Sequence, residues 1–113
     1  MIYALFIDDE RFPENVTWEV AGEPFRYDFD VIARNMEQVQ EAVHSYGFPS
    51  YVSFDHDLGK NEPTGKDIAN WLIHQDLEHG DMPEDFAFSV HSMNPVGAEN
   101  IMRLLTNYME FKS

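Results

Sequence analysis

Apolar runs in this chain are short, and three of them stop abruptly at ionisable residues. Ile2-Tyr3-Ala4-Leu5-Phe6-Ile7 runs into Asp8-Asp9-Glu10-Arg11, and Tyr51-Val52-Ser53-Phe54 runs into Asp55-His56-Asp57-Leu58-Gly59. Phe86-Ala87-Phe88-Ser89-Val90 runs into His91-Ser92-Met93-Asn94. Runs of this length, rich in aromatic and β-branched residues, predict buried strands. Residues 2–7 give the first strand, 50–55 the third and 86–90 the fourth. Phe25 to Arg34 alternates in polarity and gives the second strand, placed at an edge by its charges. Between the first two, Asp8 to Pro24 is punctuated by Pro13, Asn15, Gly22 and Pro24 and predicts irregular chain. Irregular segments of such length in small domains are often functional.

Helical periodicity fills the remaining gaps. Asn35 caps a helix over Met36 to Tyr46, in which Met36, Val39, Val43 and Tyr46 share a face and Gly47 with Pro49 ends the run. Thr64 followed by Asp67 has the capping-box spacing, and the helix after it turns Ile68, Trp71, Leu72 and Leu77 inward before stopping near Gly80. Asn94-Pro95 sets an N-cap ahead of Pro at the first helical position, and Ile101, Leu104, Leu105, Tyr108 and Met109 line that last helix. Strands alternating with helices imply a mostly parallel sheet with right-handed crossovers and helices packed on its faces.

A chain of 113 residues without repeats or linkers reads as one α/β domain over residues 1–113. It has no Cys, which excludes disulfides, thiol nucleophiles and thiolate metal sites. The apolar N-terminus lacks a basic leader and a cleavage site, and no run approaches membrane-spanning length, so the expected compartment is the cytosol. Seven Lys plus Arg stand against 21 Asp plus Glu, a formal charge of −14. So acidic a domain is repelled by a nucleic-acid backbone, and broad nucleic-acid binding is not expected. A small phosphorylated substrate remains compatible where a metal ion or local cations offset the carboxylates.

The strand ends hold the candidate chemistry. Asp8, Asp9, Asp55 and Asp57 meet if the first and third strands are neighbours, and clustered carboxylates repel unless a cation neutralises them. Oxygen ligands of this kind suit Mg²⁺ or Mn²⁺; singly, each is equally a turn residue making local hydrogen bonds. His56 and His91 are candidates for general base and general acid across a pocket, with neighbouring carboxylates to fix their tautomers. Either one alone is also an ordinary polar cap on the sheet. Thr64-Gly65-Lys66 and Asn94 to Gly97 open helices whose N-termini can seat a phosphate, although both are explained as well by capping. Arg11 can grip a phosphate bidentately or pair with Glu10 or Glu14. Ser92 is a possible oxygen donor, and Trp18 and Trp71 are core or pocket wall.

Asp8-Asp9 after the first strand and Asp55 after the third resemble the acidic pocket of two-component receiver domains. In that likeness Asp55 stands at the phospho-acceptor place, Asp8 and Asp9 at the metal pair, and Ser92 at the hydroxyl after the fourth strand. No Lys stands where a receiver's fifth strand would carry one, and the first crossover helix is replaced by the irregular segment. A closer resemblance covers nearly the whole chain, to the receiver-like family of cyclic-phosphate processing domains. Its motifs are matched by Asp8-Asp9-x-Arg11-x-Pro13, by Phe54-Asp55-His56-Asp57-Leu58-Gly59, by Thr64-Gly65, and by Val90-His91-Ser92-x-Asn94-Pro95-x-Gly97.

The resemblance implies a flavodoxin- or receiver-like three-layer fold, truncated relative to a full receiver, with a four-stranded sheet in the order 2-1-3-4. It implies action on cyclic phosphates of the kind left by RNA processing, either a cyclic nucleotide or ADP-ribose cyclic phosphate. The site expected on this basis has His56, His91 and Asp57 as catalytic residues and Asp8, Asp9 and Asp55 around Mg²⁺ or Mn²⁺. Arg11, Thr64, Gly65, Lys66, Ser92, Asn94 and Gly97 would hold the phosphate. Two alternatives stay open: a signalling or adaptor module switched at Asp55, and an inert domain that binds a cyclic nucleotide.

Overall fold

The computed structural model describes residues 2–113. Strands β1 (Ala4–Ile7), β2 (Ala21–Gly22), β3 (Val31–Ala33), β4 (Tyr51–Phe54) and β5 (Ala87–Val90) form one sheet in the order β2-β5-β4-β1-β3. Helices α1 (Met36–Tyr46), α2 (Gly65–His79) and α3 (Pro95–Lys112) follow β3, β4 and β5, and a 3₁₀ turn spans Pro13–Asn15. This is a receiver-like α/β fold. The pairings of β1 with β3, β1 with β4, and β4 with β5 are all parallel.

Five strands replace the expected four. The four parallel ones keep the expected neighbours, β3-β1-β4-β5, and β2 is added outside β5 as an antiparallel pair, Ala21 with Val90 and Gly22 with Ser89. It holds the edge position that the order 2-1-3-4-5 gives to a fifth parallel strand. Two residues, Ala21 and Gly22, are too few to show alternation, and Pro24 follows closely, so the sequence shows no strand there. The segment from Phe25 to Arg34 is strand only at Val31–Ala33. Its earlier aromatics are needed elsewhere.

Period-2 alternation sorts the strand residues onto two faces. Leu5, Ile7, Val52, Phe54, Phe88 and Val90 join Val39 and Val43 of α1, Ile68 and Leu72 of α2, and Ile101 and Leu105 of α3 in one buried cluster. All three helices therefore share a face. The opposite face carries Phe6, Ser53 and Ser89, which are register partners across β1, β4 and β5. In place of a helical layer it is covered by aromatics of the irregular segment: Phe29 lies 5.2 Å from Phe6, and Phe25 packs edge-on to Phe6 at 6.2 Å.

The helix ends follow the capping chemistry of the sequence. Asn35, Thr64 and Asn94 accept from the backbone N–H groups of Gln38, Asp67 and Gly97. Leu77, expected inside, is 60% exposed. The inward position one residue earlier belongs to Asp76, which is buried and accepts hydrogen bonds from Met82 N–H, Tyr108 OH and Lys112 Nζ, tying α3 to α2. No helix among the described residues is long and apolar enough to cross a membrane.

Gly65 opens α2 flush against the end of β4. Its N–H donates to the His56 carbonyl at 2.8 Å, and a Cβ there would collide with the Asp55 carbonyl. Gly65→Ala should therefore cost about 1–3 kcal/mol as an overpacking substitution, read as a lower urea midpoint with an unchanged slope; an unaltered midpoint would show that this contact is loose.

Candidate functional site: a carboxylate cavity at the strand ends

The backbone ladder runs one residue past the strands and fixes the site. Asp8 N–H donates to the Ala33 carbonyl, Asp55 N–H to that of Ile7, and His91 N–H to that of Phe54, at 3.2, 2.9 and 2.9 Å. Asp8, Asp55 and His91 thus stand side by side on the Phe6 face. All three are buried, at 0, 4 and 0% exposure.

Asp8 has no spare lone pair. Oδ1 accepts from the N–H groups of Glu10 and Arg11 at 3.0 and 2.9 Å, and Oδ2 from Arg11 Nη1 at 3.4 Å and His91 Nε2 at 3.1 Å. A carboxylate offers about four such acceptor sites. Burial works against its charge, but the His91 bond, the two amides and the charge of the imidazole outweigh burial and hold Asp8 far below the usual carboxylate range. Asp55 moves the other way. Burial, and then the charge of Asp8, push its carboxyl up to about 6, with His91, Arg11 and the His56 N–H pulling against them. Asp9 is raised by desolvation and by the charges of Asp8 and Glu10. The pocket holds more negative charge than its own cations balance.

Arg11 is the shared counter-ion. Its Nη1 also lies 3.7 Å from Asp55 Oδ2, and its guanidinium sits 5.1 Å over the Trp18 ring. The loop that carries it is pinned by Arg34, which reaches the carbonyls of Asp8 and Arg11 at 3.0 and 2.5 Å and lies over Phe12. Trp18 closes the other side by donating to the His91 carbonyl at 2.6 Å.

The cavity above these groups has a volume of about 480 Å³ and is walled by Asp9, Arg11, Asp55, Asp57, Ser92 and Asn94, with Glu10, Gly59 and Met93. Of the residues expected to hold phosphate, Arg11, Ser92 and Asn94 line it. Thr64, Gly65, Lys66 and Gly97 do not. Thr64 spends its hydroxyl and N–H on Asp67, Gly65 is packed under the end of β4, and Lys66 is exposed outside the lining. Gly97 gives its N–H to Asn94 Oδ1 and lies against the His56 ring, where a Cβ would collide with the imidazole.

Nor do the two imidazoles face each other across a pocket. Strand parity separates them: His91 pairs in register with Asp55, and His56 is one residue further, on the helix side. His91 is sealed beneath Asp8 and stacks on Phe6 at 4.5 Å and 9°. His56 Nδ1 contacts Asp57 Oδ1 at 2.9 Å, and Asp57 Oδ2 accepts from Asn94 Nδ2 at 3.3 Å. The bond to His56 holds the Asp57 carboxyl below its ordinary value. His56 Nε2 has no hydrogen-bond partner among the described residues.

Asp8, Asp55 and His91 each place one potential ligand atom within 4.8 Å of the others. The carboxylates, with Asp9 beside them, are suitable hard donors for Mg²⁺ or Mn²⁺. The imidazole is not a third ligand, because Asp8 only accepts and His91 Nε2 must therefore carry the hydrogen between them. With all four acceptor sites on Asp8 taken, a cation there would have to displace one of these bonds, and the Arg11 Nη1 contact at 3.4 Å is the longest of them.

Serines 53 and 89 had gone unassigned. Their signal was in the sequence as a hydroxyl in the middle of each of two otherwise apolar strands, and both are completely buried. Tyr51 OH lies 2.7 Å from Ser89 Oγ, Ser89 Oγ 2.9 Å from Ser53 Oγ, and Ser53 Oγ 2.8 Å from His91 Nδ1, each within hydrogen-bond distance.

With this geometry in place, the comparison with known proteins is decisive for family. The profile described as cyclic-phosphate processing receiver domain matches residues 3–107. The chain belongs to the cyclic-phosphate processing receiver family. No curated protein and no solved structure matches it. Receiver domains typically bind Mg²⁺ at acidic residues, and the buried acidic residues at the strand ends of this chain are Asp8 and Asp55. The short antiparallel β2 holds the edge place beside β5, and the guanidinium facing Asp8 and Asp55 is that of Arg11.

Two carboxyls with opposite shifts give opposite pH signatures in metal-free protein. Asp8, held low, contributes stability that is present above its ordinary 3.8 and lost as pH falls further. Asp55, raised, contributes stability that is present below 3.8 and lost as pH rises through about 6. Carboxyl-carbon NMR should show Asp55 titrating near 6, shifted upward in Arg11→Gln and downward in Asp8→Asn. Identical titration in all three proteins would mean that these charges do not sense one another.

Proposed function

We propose that this domain processes a cyclic or strained phosphodiester by metal-assisted hydrolysis in the carboxylate cavity. The observation that carries the reading is the pairing of buried Asp8 and Asp55 under a guanidinium, beneath a polar cavity with room for a phosphate ester. A bound Mg²⁺ or Mn²⁺ on Asp8, Asp9 and Asp55 supplies Lewis acidity toward a phosphoryl oxygen. Arg11, in the wall of the cavity, would grip the phosphate bidentately. Ser92 Oγ and Asn94 Nδ2 are further donors in the wall of the cavity.

Proton transfer falls to His56. Asp57 fixes its ring through Nδ1, Asn94 fixes Asp57, and the free Nε2 takes a proton from water or gives one to the leaving oxygen. His91 keeps Asp8 charged and oriented from below and does not meet the substrate. Asp55 near 6 is readily ionised by an arriving cation, and metal binding should release protons at neutral pH or below.

The test is turnover. Purified protein with Mg²⁺ or Mn²⁺ should convert 2′,3′-cyclic nucleotides or ADP-ribose cyclic phosphate to a phosphomonoester. His56→Gln should lower the rate about 10²–10⁴-fold and leave folding intact. Absence of product with either metal and every substrate would overturn the reading.

A further inference from the structure

His91 does not stand alone beneath Asp8; it ends a buried row of hydroxyls that crosses the sheet. Tyr51, Ser89 and Ser53 lie on β4 and β5, with Ser53 and Ser89 as direct register partners. The row runs from the Pro24 carbonyl, 3.0 Å from Tyr51 OH, through Ser89 and Ser53 to His91 Nδ1, and through Nε2 to Asp8 Oδ2. Ser53, Ser89, His91 and Asp8 are all 0% exposed, and no buried side-chain polar atom among the described residues lacks a partner. Packing alone does not call for it. Two apolar residues would fill the Ser53 and Ser89 positions on a face otherwise built of Phe6, Phe25 and Phe29, and buried hydroxyls are costly unless every bond is made.

We propose that Ser53, Ser89 and Tyr51 are positioning residues for the carboxylate cavity, acting through His91. The Ser53 contact at Nδ1 and the Phe6 stack hold the imidazole in one rotation. Asp8, which only accepts, sets the hydrogen on Nε2, and the row engages Nδ1 in either of its two senses. If Tyr51 donates to Ser89, Ser53 donates to Nδ1; if Tyr51 donates to Pro24, the row reverses and Nδ1 donates to Ser53. In either sense Nε2–H points at Asp8 Oδ2. The row thus occupies Nδ1 and holds the ring so that Nε2–H stays on Asp8 Oδ2, which leaves the Arg11 contact as the exchangeable one on that carboxylate. The parallel is the outer shell of a metal site, where a partner that orients a ligand governs affinity without touching the ion.

The part of this inference that concerns cation affinity rests on the metal-assisted reading above; the part that concerns the ring does not. Two measurements separate them. Long-range ¹⁵N–¹H correlation of the His91 ring should show a protonated Nε2 and one sharp Nδ1 signal in the parent protein. In Ser53→Ala the Nδ1 signal should shift and broaden, in Ser89→Ala and the nearly isosteric Tyr51→Phe it should shift by smaller steps, and Ser53→Thr should restore it. Mn²⁺ affinity, followed by electron paramagnetic resonance, should fall about tenfold in Ser53→Ala and recover in Ser53→Thr. If Ser53→Ala and Tyr51→Phe both leave the His91 signals unmoved, the row does not position the ring. If the signals move while Mn²⁺ affinity stays as in the parent, the row orients His91 without serving the cavity, and that also overturns the proposal. If the parent itself binds no Mn²⁺, the metal-assisted reading fails, the role in the cavity falls with it, and the ring measurement alone decides the orientation.

Discussion

Two buried carboxylates side by side are the constraint around which this fold is arranged. Parallel pairing of β1 with β4 forces Asp8 and Asp55 together, because each follows its strand by one residue and the ladder continues through both. Two charges so placed, away from water, are strongly unfavourable unless cations face them. His91 answers from β5 and Arg11 from the loop after β1. The compensation is unequal: Asp8 takes four hydrogen bonds, whereas Asp55 receives a distant guanidinium and keeps a raised pKa. That imbalance marks the cavity as a place for further positive charge.

The covering of the Phe6 face follows from the same demand. A helix in that position would bury the sheet well, but its backbone amides would bond within the helix. The irregular segment instead turns the N–H groups of Glu10 and Arg11 toward Asp8, hangs Arg11 over Asp55 and sends Trp18 to the His91 carbonyl. Phe25 and Phe29 then provide the apolar cover that a helix would have given. The structured loop has replaced a structural layer with one that also holds polar groups in place. Irregular chain in a small domain earns its ordering in this way, through many specific contacts per residue.

The two histidines illustrate how parity decides role. One residue of offset between Asp55 and His56 sends their side chains to opposite sides of the sheet. His91, in register with Asp55, becomes a buried support. His56 becomes the imidazole beside the cavity wall, held by Asp57 and seated on Gly97, whose missing side chain makes room for the ring. Glycines that sequence patterning offers as phosphate seats are here packing solutions, one under β4 and one under His56.

Much of the molecule was written in local chemistry. The apolar runs marked β1, β4 and β5, caps at Asn35, Thr64 and Asn94 placed the helices, and the polar strand ends named Asp8, Asp9, Asp55 and Asp57 as one acidic cluster. These features depend on neighbours within a few residues, which is why they are visible in a linear chain. What the tertiary structure decided was relational: that β2 joins the sheet at all, that the three helices share one face, and that Arg11 faces both buried carboxylates. The burial of His91 and the row of Tyr51, Ser89 and Ser53 hydroxyls joined to it belong to the same class, since they follow from register between strands dozens of residues apart. Pattern names the residues that can act; only the pairing of distant strands determines which of them meet.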